Sequence, residues 1–193
     1  KKRQKMDLQT NSVIAAEALV RWRLEDGTYL PPSSFVDIFE KNLFCSKLDF
    51  YMLKKAIQQI RKWIDMGINP VNISVNQSKI VFYHENYISE LKSLLEEYNV
   101  SGSYITLEVL ESTVIEDIDI FNSILTEVKK LGFSVSLDDF GSGYSSLNVL
   151  SKLQIDELKI DRIFLHTKSE VDNQRTKWIL ESIIDIAKKS QIL

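Results

Sequence analysis

Cysteine is nearly absent from this 193-residue chain, where Cys45 stands alone. One thiol forms no intramolecular disulfide and supplies no thiolate cluster for zinc. A small buried apolar residue is its ordinary role. Histidine is almost as scarce: His84 and His166 fall in segments that read as surface, so an imidazole zinc centre has little to draw on. An excess of one charge is missing too. The 24 Lys and Arg stand against 27 Asp and Glu, a net charge of -3. That excludes a strongly basic surface for duplex nucleic acid, although a mildly acidic protein still binds an anion when metal ions bridge the two. No run is long and apolar enough to span a membrane and no signal peptide is visible, so a cytoplasmic domain without direct membrane insertion is expected. No low-complexity linker divides the chain, no helical pattern is sustained enough for a coiled coil, and no glycine-rich dinucleotide turn follows an early strand.

What is present is alternation. Apolar stretches at Val13–Leu19, Val71–Val75, Tyr104–Val109, Phe133–Leu137 and Glu157–Ile160 predict strands. Helices are predicted from Ser33 or Ser34 to Phe44, then at Leu48–Met66, Tyr87–Tyr98, Ile118–Leu131, Ser145–Leu153 and Val171–Lys189. Strand–helix repetition implies an α/β protein with parallel strands and right-handed crossovers. The basic opening, residues 1–5, reads as a linker or cloning scar before a single domain at 6–193.

The polar residues choose between an open sheet and a barrel. Glu17, Asn76, Glu108, the pair Asp138–Asp139, and Lys159 all fall late in a strand or just past it. In a (β/α) barrel of TIM type such positions converge on one mouth, whereas in an open sheet they would spread along an edge. The barrel is the expected fold. "VSLDDFGSGYSSL", from Val135 to Leu147, raises the question most directly. Two adjacent carboxylates repel and are costly to desolvate, so a cationic group should lie near them. On residue chemistry alone, one aspartate could cap the next helix and the other face water. A mouth with this many carboxylates and an asparagine carbonyl is an all-oxygen site, suited to Mg²⁺ or Mn²⁺. It offers more carboxylates than one Mg²⁺ takes, and two-metal sites favour in-line attack on phosphodiesters.

Five segments occur in a telling order: "AEALVRW" (Ala16 to Trp22), "SVNQS" (Ser74 to Ser78), "LEVLES" (Leu107 to Ser112), "LDDFGSGYSSL" (Leu137 to Leu147) and "LKID" (Leu158 to Asp161). Together they resemble the EAL domain family, bacterial phosphodiesterases of the second messenger cyclic di-GMP. The resemblance implies Glu17, Asn76, Glu108 and Asp138 as metal ligands, with Asp139 beside a second metal. It implies Arg21 and Leu19 as substrate-binding residues, Lys159 as the group that positions and polarises the attacking water, and Glu111 as the anchor of the loop Phe140–Ser146. Trp22 reads as packing. The implied cofactors are two Mg²⁺ or Mn²⁺ ions, and the implied partners are cyclic di-GMP, a second copy of the chain, and further signalling domains. The alternative is a catalytically inactive EAL-like module that binds cyclic di-GMP or a protein partner.

Two departures from the family pattern stand out. Leu110 occupies a position where threonine is common. The pattern also continues, past the point where this sequence ends, with a strand bearing a metal-binding glutamate and a later glutamine, and its first strand is represented only by a tail in "RQKMDLQT". A closed barrel typically takes about 250 residues. The expectation is therefore an incomplete barrel, with the edge of the strand ending near Asp161 left unpaired.

Overall fold

The computed structural model describes residues 2–42, 44–111, 118–142, 147–165 and 170–193. In chain order the elements are β1 (Lys2–Asp7), β2 (Ser12–Ala18), β3 (Trp22–Arg23), β4 (Tyr29–Leu30), α1 (Val36–Lys41), α2 (Cys45–Asp65), β5 (Asn72–Gln77), α3 (Lys79–Phe82), α4 (Tyr87–Tyr98), β6 (Ile105–Leu110), α5 (Ile118–Lys130), β7 (Ser134–Phe140), α6 (Leu147–Lys152), β8 (Glu157–Ile160) and α7 (Glu170–Lys189). Six strands form one sheet in the order β1-β2-β5-β6-β7-β8, and β3 and β4 form a separate small hairpin. Within the six-stranded sheet every pairing from β2 to β8 is parallel, so each connection crosses over. The sheet curls far enough for Lys5 on one outer strand to touch Glu157 on the other. It is a half-barrel.

The two faces of this sheet differ in chemistry. Ile73 and Val75, Ile105, Leu107 and Val109, and Val135 and Leu137 point outward and are buried in the main core. They meet helix residues such as Leu53, Ile57 and Ile60 of α2, Leu91 of α4, and Phe121 and Leu125 of α5. At two successive levels the inner face is polar. Register places Glu17 beside Ser74, Ser74 beside Thr106 and Thr106 beside Ser134. One level nearer the strand ends, Asn76 lies beside Glu108, Glu108 beside Ser136, and Ser136 beside Glu157. Barrel interiors of this type are usually packed with branched aliphatics. Here the polar set reaches well below the mouth, which inspection of strand ends alone does not reveal.

Several sequence expectations change. Lys2–Asp7 is a strand paired antiparallel with β2, not a linker. The expected helix from Ser33 or Ser34 to Phe44 divides into a 3-10 turn at Pro32–Ser34 and α1, and neither end is capped by a serine side chain. Around that break Trp22, Phe35, Phe39 and Phe44 form a chain of ring contacts with centroids 5.0–5.6 Å apart. Trp22 does pack, though nearly half of it is exposed. The edge of β8 is not wholly open: Leu193 N–H donates to the Asp156 carbonyl at 2.9 Å, and Leu158 N–H donates to the Leu193 carbonyl at 2.8 Å. Cys45 is buried, and burial, then Asp49 and Glu40, push its thiol up to about 11.

Asp49 of α2 tethers the turn that follows β5. Its Oδ2 accepts from the Ser78 N–H at 2.9 Å and from the Ser78 hydroxyl at 2.5 Å. Burial raises its carboxyl to about 6; the two Ser78 donors oppose this, and Glu40 adds to it. The unfolded chain releases this proton near 3.8. The folded state therefore holds the proton more tightly, and stability falls as pH rises from about 4 to 6, staying lowered above that. Asp49→Asn removes the charge and keeps the shape. Its amide oxygen still accepts both Ser78 bonds, weakened by the lost charge, and the substitution should stabilise the domain at pH 7.5 by about 1–2 kcal/mol. Urea unfolding of both proteins at pH 4.5 and 7.5 measures this, and a difference between them that ignores pH would refute it.

Candidate active site at the strand ends

Lys159 is the centre of the charged cluster. It stands on β8, two residues after Glu157, so both point to the inner face. Its Nζ donates to Asp138 Oδ2 at 2.6 Å and lies 3.0 Å from Glu108 Oε2. This is the cation that the paired aspartates called for. Burial alone would lower the Lys159 ammonium, but the Glu108 and Asp138 carboxylates outweigh it and hold the group above its ordinary value. It is a proton donor at neutral pH, not a base.

Glu108 is 1% exposed, at the middle strand of the half-barrel. Glu17 is also buried, one level deeper, where Arg3 Nη1 approaches its Oε2 at 3.6 Å. Asn76 is exposed and lies level with Glu108. Asp138 lies beside Leu110, whose apolar side chain is 43% exposed on this inner face. Strand β7 continues through both aspartates to Phe140, rather than ending before them. Asp139 takes a left-handed backbone, φ 55°, where the pairing of β7 with β8 shifts. Burial first, then the nearby Asp138 and Asp161 carboxylates, raise its carboxyl above the usual range.

Arg21 and Leu19 sit half-buried just past β2. Arg21 Nη1 donates to the Val20 carbonyl at 2.6 Å. Glu111 is buried, and its Oε2 accepts the Gly141 N–H at 3.1 Å. Gly141 needs to be glycine twice over, since its φ is 94° and a Cβ there would run into the Phe164 ring. Residues 143–146, the rest of the loop that Glu111 is expected to anchor, lie outside the described residues.

Lys5 and Glu157 escaped the sequence reading. Lys5 Nζ lies 3.0 Å from Glu108 Oε1 and 2.7 Å from Glu157 Oε2. The available signal was the alternation Arg3-x-Lys5 and Glu157-x-Lys159, which puts each pair on one strand face. Glu108 thus has an ammonium near each oxygen, yet neither oxygen accepts a well-directed hydrogen bond. Its lone pairs are charge-compensated but not tied to a donor, which suits ligation of a hard divalent cation. Among the described residues no three Asp, Glu, His or Cys side chains gather round one point. A cation held by Glu108 and Asp138 together would have to displace Lys159.

No described helix is long and apolar enough to cross a membrane. The EAL domain family model matches residues 5–193. The cyclic di-GMP phosphodiesterase PdeR of Escherichia coli K12 is 35% identical over 153 residues, 79% of this chain and 23% of PdeR. The cyclic di-GMP phosphodiesterase NbdA of Pseudomonas aeruginosa is 33% identical over 182 residues, 94% of this chain and 23% of NbdA. The chain therefore spans under a quarter of the length of either curated relative. The solved "PaMucR Phosphodiesterase, c-di-GMP complex" superposes with a TM-score of 0.87 at 31% identity, covering 99% of this chain and 76% of that one; MucR is a Pseudomonas aeruginosa protein. With a match that begins within β1 and runs to the last residue, the chain belongs to the EAL domain family.

Proposed function

We propose that this domain hydrolyses one phosphodiester of cyclic di-GMP to linear pGpG, with water as the nucleophile and two divalent cations, Mg²⁺ or Mn²⁺, as cofactors. The observation that carries the reading is the Glu108–Lys159–Asp138 cluster on the inner face of a curled parallel sheet, at the strand ends. Relatives named cyclic di-GMP phosphodiesterases support the substrate class. Glu17, Asn76, Glu108 and Asp138 would hold the cations, with Asp139 beside the second. Bound divalent cations would neutralise phosphate charge and ease deprotonation of water.

The remaining work falls to the chain's own groups. Lys159, kept protonated by its two carboxylates, donates a hydrogen bond toward the attacking water and holds it in place. Arg21 meets a substrate phosphate through its planar fork, a task for which an ammonium is less suited. Leu19, beside it, gives the substrate an apolar contact. Glu111 fixes the backbone at Gly141 and so the start of the loop after the aspartates.

A second reading, a non-catalytic module that binds cyclic di-GMP or a protein partner, is favoured by one observation. Ammonium groups already neutralise Glu108, and no three metal-type ligands converge among the described residues. Incubating the purified domain with cyclic di-GMP separates the two readings. Linear product formed with Mg²⁺ or Mn²⁺, much less with Ca²⁺, and none in excess EDTA is the expected result, since Ca²⁺ accepts looser geometry and more ligands. Binding without turnover under all these conditions would favour the module. Full turnover in EDTA would exclude the metal-dependent mechanism.

A further inference from the structure

We infer that Lys5 sets the affinity of this site for its divalent cation, acting as an internal counter-charge delivered by β1. The inference rests on the reading of Glu108 as a metal ligand. Strand β1 runs antiparallel to β2 with Arg3 opposite Glu17 and Lys5 opposite Ala15. Directly opposed residues share a face, so both cations point inward with Glu17. The curl of the sheet then lets Lys5 reach Glu108 on β6 and Glu157 on β8, at 3.0 and 2.7 Å.

The geometry divides the labour between the two lysines. Lys159 is bound to Asp138 by a short, well-directed hydrogen bond and approaches one oxygen of Glu108. Lys5 donates to both oxygens of Glu157, at 3.1 and 2.7 Å, and approaches the other oxygen of Glu108. The Glu108 side chain is fully buried. Lys5 supplies that buried carboxylate with a counter-charge, and Glu157 gives Lys5 a place to stay when Glu108 turns to another cation. A divalent ion on Glu108 must then work against a unit positive charge close by. Removing that charge strengthens metal binding and weakens the metal-free fold.

Mn²⁺ binding to the full domain, measured by calorimetry without substrate, tests this. Lys5→Met should bind Mn²⁺ roughly tenfold to a hundredfold tighter than the wild type. Its metal-free form should melt lower and gain more in melting temperature on adding Mn²⁺. Glu157→Gln acts in the opposite sense: Lys5 then leans on Glu108 alone, and Mn²⁺ should bind several-fold more weakly. Glu108→Gln serves as the control for the underlying reading. If it loses Mn²⁺ binding while Lys5→Met and Glu157→Gln both keep the wild-type affinity, the role of Lys5 is wrong and the ligand reading stands. If Glu108→Gln binds Mn²⁺ as the wild type does, Glu108 is not a ligand and the role of Lys5 falls with it.

Discussion

Glu108→Gln is expected to lower turnover of cyclic di-GMP by about a thousandfold or more, the scale on which losing one preorganised charge is felt in an active site. The substitution is close to isosteric, so it opens no cavity at a position with 1% exposure. What it removes is charge. A neutral amide offers a divalent cation one weak carbonyl ligand in place of a carboxylate. Its NH₂ group must also face one of two ammonium groups, since Lys5 and Lys159 each stand 3.0 Å from a Glu108 oxygen. Both lysines keep another carboxylate, Glu157 and Asp138 respectively. The fold should therefore persist, with a loss of about 1–3 kcal/mol from the unmatched donors. Steady-state hydrolysis at saturating Mg²⁺, alongside far-UV circular dichroism, reads both effects. A native spectrum with a wild-type kcat would remove Glu108 from the chemistry.

The sequence made some elements plain and hid others for physical reasons. Tyr87–Tyr98 and Glu157–Ile160 match expectation to the residue. The first is closed by Asn99 in a left-handed conformation, φ 49°, a common helix stop. Strands β5, β6 and β7 were legible because their outward residues are aliphatic and core-buried. Strand β1 was not. Its inward residues, Arg3 and Lys5, are cations because they face carboxylates, so its pattern mimics a solvated basic tail. A strand paired to a charged lumen carries no apolar period to detect. The same cause explains the candidate site. Glu17, Glu108, Asp138 and Lys159 stood out by their strand-end positions, but their partners did not. Lys5 meets Glu157 across 152 positions of sequence, and nothing local records that contact. Asp49 was missed for the opposite reason. It lies among the apolar residues of a strongly amphipathic helix, and only the fold shows that Ser78 is its partner.

Phe121→Ala is expected to destabilise the domain by about 3–5 kcal/mol, a large share of the roughly 5–15 kcal/mol that holds a typical domain together. Phe121, on α5, has no exposed surface. Its ring meets Phe82 of α3 edge-on, with centroids 5.1 Å apart at 64°. Phe82 meets Tyr87 at the start of α4, 5.2 Å away, and Tyr87 packs against Phe50 of α2 at 6.0 Å. Four helices thus share one aromatic seam, and Phe121 closes one end of it. The neighbouring rings are held from several sides, so they cannot move in to fill the space an alanine leaves, which is the condition under which a cavity is most destabilising. The seam also touches the sheet at the end of β5. The Tyr87 hydroxyl donates to Gln77 Oε1 at 3.1 Å, and Gln77 directly follows Asn76 on β5. Loosening the seam should therefore raise the mobility of the strand end that carries Asn76 before the domain unfolds. Urea denaturation gives the first effect as a lower midpoint with an unchanged slope. Amide hydrogen exchange at Asn76 and Gln77 gives the second, as faster opening than at Val135 and Leu137 on β7, two strands away. A loss below about 1 kcal/mol, within the range of substitutions that break no particular feature, would mean that the seam repacks freely and that β5 draws its order from the sheet alone.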